Sequence, residues 1–184
     1  HSDKPMSVGL VPLRIYISAQ NGRQHLIAYN IKLNRLFSYR LDYISDVKIG
    51  EPCERFDELR DKLNAAESCM WGVNGRLDTD STEHVEFDIR IADDEQYIVN
   101  RLEREKRCGK VEKIDDNHYR YSADVFDTTE MIPWIRTFIC RITRLNFSDR
   151  TAENNFKADI EKMYEIYGIE DNTADSGGES DDIQ

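Results

Sequence analysis

Polar and apolar residues alternate along 10–17 (LVPLRIYI) and again along 24–30 (QHLIAYN), a period of two that predicts strands with two unlike faces. Between these runs stands Gln20-Asn21-Gly22-Arg23. Asn-Gly favours a type I′ turn, in which both central residues take positive φ. A two-residue loop pairs Gln20 with Arg23, setting Ser18 opposite His25, Tyr16 opposite Ile27 and Arg14 opposite Tyr29. One face then carries Leu13, Ile15, Ile17, Leu26 and Ala28, the expected core. The other carries Arg14, Tyr16, Ser18, Arg23, His25 and Tyr29, expected to be exposed or to line a site. A third strand is predicted over 35–44 (RLFSYRLDYI). Arg35 and Arg40 have opposite parity there, so a regular strand cannot aim both the same way.

The period changes to that of a helix over 53–69, where Phe56, Leu59, Leu63 and Ala66 share a stripe. Met70-Trp71-Gly72-Val73-Asn74-Gly75 stops it, with Gly72 and Gly75 as turn residues. Trp71 is either a stacking platform for a ligand or, as is commoner for tryptophan at such a junction, a core residue. Alternation returns at Val85, Phe87, Ile89 and Ile91. Asp93-Asp94-Glu95-Gln96 offers a capping box for a helix with Ile98 and Leu102 on its face, ended by Gly109. Strands follow at about 110–114 and 118–126, the latter alternating through Tyr119, Tyr121, Ala123 and Val125. A second helix carries Ile132, Ile135 and Phe138, starting near 130 so that Pro133 stays in its first turn. Residues 139–147 form a fourth strand, and a last helix runs from about 149 to 167, with Ala152, Phe156, Ile160, Met163 and Tyr167 on one stripe and Gly168 closing it. The order βαββαβ, then α, predicts a ferredoxin-like sandwich with helices on one face of an antiparallel sheet. The fold class is therefore α+β.

Composition narrows the function. The 184 residues carry a formal net charge of −11, which argues against indiscriminate duplex binding. The charge is uneven. Residues 1–50 hold seven bases against three acids, or +4, and residues 51–184 hold 18 against 33, or −15. Residues 169–184 contain six acids and no base, the composition of a disordered, solvating tail. Four cysteines are separated by 15, 38 and 31 residues with no CxxC pair, so a structural zinc is not expected and reduced thiols in a cytoplasm are. The opening His-Ser-Asp-Lys-Pro is set aside as an expression scar or a cut from a longer protein. No run is long enough to cross a bilayer, and no P-loop, dinucleotide fingerprint, HExxH or nucleophile elbow is present. Asp93-Asp94 and Asp115-Asp116 lack the spacing of a calcium loop and are explained by caps and turns. Glu103-Arg104-Glu105-Lys106-Arg107 is a nucleic-acid contact or, given its mixed signs, an exposed helix face.

Arginines interleaved with aromatic rings and a hydroxyl suit phosphate plus base, guanidinium forks holding the anion and rings stacking. The alternative is a solvated sheet face with ordinary cross-strand pairs. For His25, no local Ser, Cys or Asp motif supplies a catalytic partner, which leaves a surface or pocket-lining histidine.

The stretch VPLRIYISAQNGRQHLIAYN followed by RLFSYRLDYISDVKI resembles the WYL domain of bacterial transcriptional regulators. The signature triplet falls on Gln24-His25-Leu26, where only Leu26 survives. A later family segment, Phe-Arg-Leu-Asp-Arg-Ile, matches Tyr39-Arg40-Leu41-Asp42-Tyr43-Ile44, with Tyr43 in place of its second arginine. Residues 127–138 and the closing Met163-Tyr164-Glu165-Ile166-Tyr167 resemble the WCX extension that commonly follows. The resemblance spans about 10–168. It implies a WYL domain over 7–80, an Sm-like (SH3-type) small β-barrel that lacks its first strand if the family's preceding strand is missing. It further implies a WCX-like module over 84–168, followed by the tail. By resemblance Arg14, His25 and Arg40 occupy pocket-associated strands, with Arg23 and Arg35 nearby, and Ser18 and Tyr29 from the hairpin face complete the expected ligand-binding set. The expected function is a non-enzymatic sensor without a cofactor, binding a single-stranded nucleic acid or nucleotide-like effector. It would act as a homodimer on DNA through an N-terminal domain outside this chain, with no membrane partner. The alternative is a protein-interaction or dimerisation scaffold without a small ligand. An enzyme, such as a metal-dependent nuclease using the acidic half, ranks third because no metal-ligand constellation supports it.

Overall fold

The computed structural model describes residues 6–18, 21–73, 77 and 81–168. The opening His-Ser-Asp-Lys-Pro, Gln20, Gly75 and the acidic tail of 169–184 lie outside the described residues. Among the described residues the chain is mixed α and β, with two antiparallel sheets and four α-helices.

The first sheet has the order β1-β2-β3, formed by β1 (Leu10–Ile17), β2 (Gln24–Asn30) and β3 (Arg35–Arg40). Among the described residues it is an open sheet and not a closed barrel, and beyond its three strands one bridge joins Leu36 to Leu77. The hairpin register differs from the two-residue expectation. Tyr16 pairs with His25 and Arg14 with Ile27, and the closing pair is Ser18 with Arg23, whose carbonyl accepts from Ser18 N–H at 2.9 Å. The cause is local. The Asn21 side-chain oxygen takes the Arg23 N–H at 3.0 Å, as Asn does in an Asx turn. Gly22 supplies the positive φ of 70°.

A register change of two residues leaves each side chain on its expected face, because the strand period is two. Which face is buried is nevertheless the reverse of the expectation. Ile15 and Ile17 are 57% and 66% exposed, whereas Ile27, Tyr29 and Leu36 are buried. The reason is α1 (Phe56–Glu67), whose Leu59, Leu63 and Ala66 form one cluster with Val11, Ile27, Tyr29, Leu36, Leu77 and Phe126. A bulge between Pro12 and Arg14 adds one residue and brings Val11 onto this covered face. Of the five residues expected in the core, Ala28 is buried, Leu26 is half-buried and Leu13 packs at the edge of the cluster. The strand expected over 35–44 ends at Arg40, where a 3-10 turn over Leu41–Tyr43 begins.

The second sheet has the order β5-β6-β4-β7, from β4 (Glu83–Arg90), β5 (Lys110–Lys113), β6 (His118–Val125) and β7 (Ile142–Phe147). The helix α2 (Gln96–Glu105) joins β4 to β5, and α3 (Ile132–Ile135) lies between β6 and β7. One cluster gathers Val85, Phe87 and Ile89 with Ile98, Leu102, Ile135, Phe138 and Phe156, so the helices cover a single face. Its centre is aromatic: Trp134 meets Trp71 at 4.7 Å and Tyr121 at 5.1 Å between centroids. Trp71 is therefore a core residue.

Several boundaries differ from expectation. Residues 139–141 belong to a 3-10 turn over Arg136–Arg141, and β7 starts only at Ile142. The α2 N-cap is Glu95, whose side chain caps no helix N–H and instead accepts from Ala92 N–H. The left-handed residue beyond α2 is Arg107, not Gly109. Gly109 is needed for another reason, since a methyl group there would overlap the Tyr121 ring. The helix α4 (Arg150–Tyr167) is closed by Gly168 in the left-handed C-terminal position, as expected, and Asp149 is its N-cap. Its stripe is buried only at the start: Ala152 and Phe156 are covered, and Met163 and Tyr167 are exposed. Glu153 pins this buried end. It is itself buried and accepts from Phe147 N–H at 2.9 Å and Arg150 at 2.7 Å.

Among the described residues, no helix is long and apolar enough to cross a membrane.

Candidate functional site

The seven residues implicated from the sequence separate into three groups. Arg14, Ser18, Arg23, His25 and Arg40 lie towards the hairpin end of the covered sheet face, where the last turn of α1 reaches Arg14 through Asn64 and Glu67. Cross-strand pairing sets Tyr16 and Arg40 on either side of His25, and Ser18 pairs with Arg23 beside them. Tyr29 lies on the same face at the opposite end, buried under α1 with its hydroxyl donating to Asn34. Arg35 has the opposite parity and lies on the uncovered face, its guanidinium over the Phe37 ring at 4.8 Å. The parity argument for Arg35 and Arg40 thus holds.

His25 is the buried centre of the first group, 3% exposed. Its Nδ1 lies 3.0 Å from Ser38 Oγ, and its Nε2 meets no partner among the described residues. Burial pushes the imidazole below its usual range, and the neighbouring charges of Arg40 and Arg23 act in the same direction against Asp42. Arg40 is not an open anion site: Asp42 binds it through two bonds, one of them 3.0 Å from Nε, and its guanidinium lies over Tyr43 at 4.1 Å. Arg40 therefore reaches a ligand only by sharing or exchanging this carboxylate.

From Arg14 the site continues into a cleft of about 390 Å³ between the first sheet and the second module. Arg14, Tyr16 and Ser18 form one wall, and Trp71 and Arg107 lie across from them, with Glu67 and Glu130 in the lining. Arg107 lies 4.5 Å above the Trp71 ring and donates to the Trp71 carbonyl. This stack fixes a cation against an aromatic surface. Arg14 and the Tyr16 hydroxyl both donate to the same Glu67 oxygen, and Arg14 also donates to Asn64 at 3.0 Å. Burial raises the Tyr16 phenol above its usual range, and the bond to Glu67 adds to it. The phenol therefore stays protonated and serves as a donor.

Glu67 and Arg107 carry no local mark of their role. Glu67 ends a helix already rich in charge, and its partner Arg14 is 53 residues away. Arg107 belongs to a mixed-charge run that looks like an ordinary exposed face. A wider depression of about 480 Å³ at the end of the second sheet contains Arg141, which is committed to Glu95. Among the described residues, no group of three or more His, Cys, Asp or Glu side chains is arranged to hold a metal ion. Compared with known proteins, the chain matches no family model and no curated protein.

Proposed function

We propose that this chain is the ligand-sensing part of a bacterial transcriptional regulator of the WYL type, binding a nucleotide-like or single-stranded nucleic-acid anion. The observation that carries this reading is the placement of Arg14, Arg23 and Arg40, from three neighbouring strand segments, on one sheet face with Ser18 and the buried His25. Arg14 then leads into a cleft that Arg107, stacked on the buried Trp71, also lines. Guanidinium groups hold phosphates, and aromatic or stacked guanidinium surfaces accept a base. In this reading the open first sheet is a partial Sm-like barrel, extended at its β3 edge by the Leu36–Leu77 bridge. The second module is a ferredoxin-like WCX extension, which the strand order β5-β6-β4-β7 and the helix placement support.

The module is non-enzymatic and works in the cytoplasm. The cleft sits where the segment after α1 meets the second module, so a ligand filling it favours one arrangement of the two. In a homodimer this preference changes the DNA affinity of a head outside the chain, because a ligand shifts a conformational equilibrium by its differential affinity for the two states.

Fluorescence titration with hexathymidylate and with mononucleotides over a salt series tests the proposal. Affinity falls as salt rises, since each phosphate contact releases counterions, and Arg14→Ala or Arg23→Ala weakens binding by roughly fivefold or more. Absence of binding at low salt, or binding untouched by both substitutions, overturns it. The second reading, an interaction scaffold, is favoured by the exposed Ile15 and Ile17 on the uncovered sheet face. It predicts an oligomer whose assembly is blocked by Ile17→Lys and ignores every nucleotide.

A further inference from the structure

Glu67 occupies Arg14 as a ligand would. A single carboxylate oxygen receives both the guanidinium of Arg14 and the hydroxyl of Tyr16, the pair of donors that an incoming carboxylate or phosphate would seek. The arrangement is accessible, with the Arg14 and Glu67 side chains 38% and 34% exposed. Ion pairs this open to water contribute little net stability, so exchange of one anion for another is easy.

We propose that Glu67 is the specificity-determining residue of this cleft, an internal competitor that a ligand must displace from Arg14. The inference rests on the anion-binding reading above and adds the ligand class. A singly charged carboxylate offers Arg14 nothing that Glu67 does not already supply. A phosphate or polyphosphate brings additional charge and extends across the cleft towards Arg107 on the other wall. The cleft therefore selects multiply charged phosphate groups over simple carboxylates.

Calorimetric titration with inorganic pyrophosphate at low salt tests this on the full chain. The proteins are wild type, Glu67→Gln, Arg14→Ala and the double variant, each first checked for a native circular dichroism spectrum and melt. Glu67→Gln keeps an oxygen acceptor for Tyr16 but removes the competing charge, and it binds about three- to tenfold tighter than wild type. The gain disappears when Arg14 is also replaced. Glu58→Gln, which changes the net charge equally near the start of the same helix, leaves the affinity unchanged. Wild-type binding with no gain in Glu67→Gln, or a gain that survives Arg14→Ala, overturns the role of Glu67 alone. Binding by neither wild type nor Glu67→Gln overturns the anion-binding reading and this inference together.

Discussion

At the scale of single residues, burial has consequences that titration and substitution can read. His25 is held below the ordinary histidine value of 6.5, first by burial and then by Arg40 and Arg23. The unfolded chain therefore takes up this proton more readily than the folded one, and acid favours unfolding. The stability linked to His25 is complete above the unfolded value and is lost as pH falls below it. The urea midpoint of the wild-type protein declines between about pH 7 and pH 5, the window of histidine protonation. His25→Gln shows a flatter profile over the same range. Gly109 makes a second residue-scale case. A side chain there meets the ring of Tyr121, which is fully buried and donates to the Lys106 carbonyl at 3.0 Å. Gly109→Ala costs about 1–3 kcal/mol by overpacking, measured by denaturant unfolding. Gly22 has open space around it and only its φ of 70° to protect, so Gly22→Ala costs about 1 kcal/mol.

At the scale of elements, the covered face of the first sheet decides what its strands tolerate. Ile17 and Ile27 look alike in the sequence, yet one is 66% exposed and the other fully buried beneath α1. Ile27→Ala destabilises by about 2–5 kcal/mol through lost burial and a cavity, while Ile17→Lys stays within about 0.5 kcal/mol in unfolding of the monomer. Equal effects would mean that α1 does not cover this face. At the other end of the chain, Glu153 ties the first turns of α4 to β7. Burial pushes its carboxyl up, but Lys157, the Phe147 N–H and Arg150 outweigh it and hold it below the usual range. Its contribution is thus full above the ordinary carboxylate value and is lost as pH falls through the folded one. Glu153→Gln costs about 1–3 kcal/mol near neutrality and reduces the acid sensitivity of unfolding.

At the scale of the whole molecule, the two cores are interlocked by an exchange of aromatic residues. Trp71, which follows α1, belongs to the core of the second sheet, and Phe126, which follows β6, belongs to the core of the first. A backbone bond from Phe126 N–H to the Cys69 carbonyl at 3.3 Å runs between the same segments. The modules therefore unfold together, in one transition seen alike by tryptophan fluorescence and far-ultraviolet circular dichroism. Phe126→Ala removes about 3–5 kcal/mol from the first core and separates the two signals into distinct transitions. The same junction forms the cleft, which is why a ligand bound there bears on the relation between the modules.

Periodicity along the chain was enough to locate nearly every element, because alternation and helical spacing record which side chains share a face. Gly168 marked the end of α4 because its conformational preference is local. The gathering of Arg14, Ser18, Arg23 and His25 on one face was legible for the same reason and survived a register change of two residues, whereas Arg40 joins them only through the pairing of β3 with β2. Which face α1 would cover depends on packing between segments about 30 residues apart in the chain, such as β2 and α1, whose Ile27 and Leu59 belong to one cluster. Alternation is silent on that choice. The Glu67 carboxylate on Arg14 and the Arg107–Trp71 stack likewise join segments distant in sequence. The sequence by itself determined strands, helices and shared faces, all of them short-range properties. Tertiary packing alone decided which face was buried and which charges were already paired.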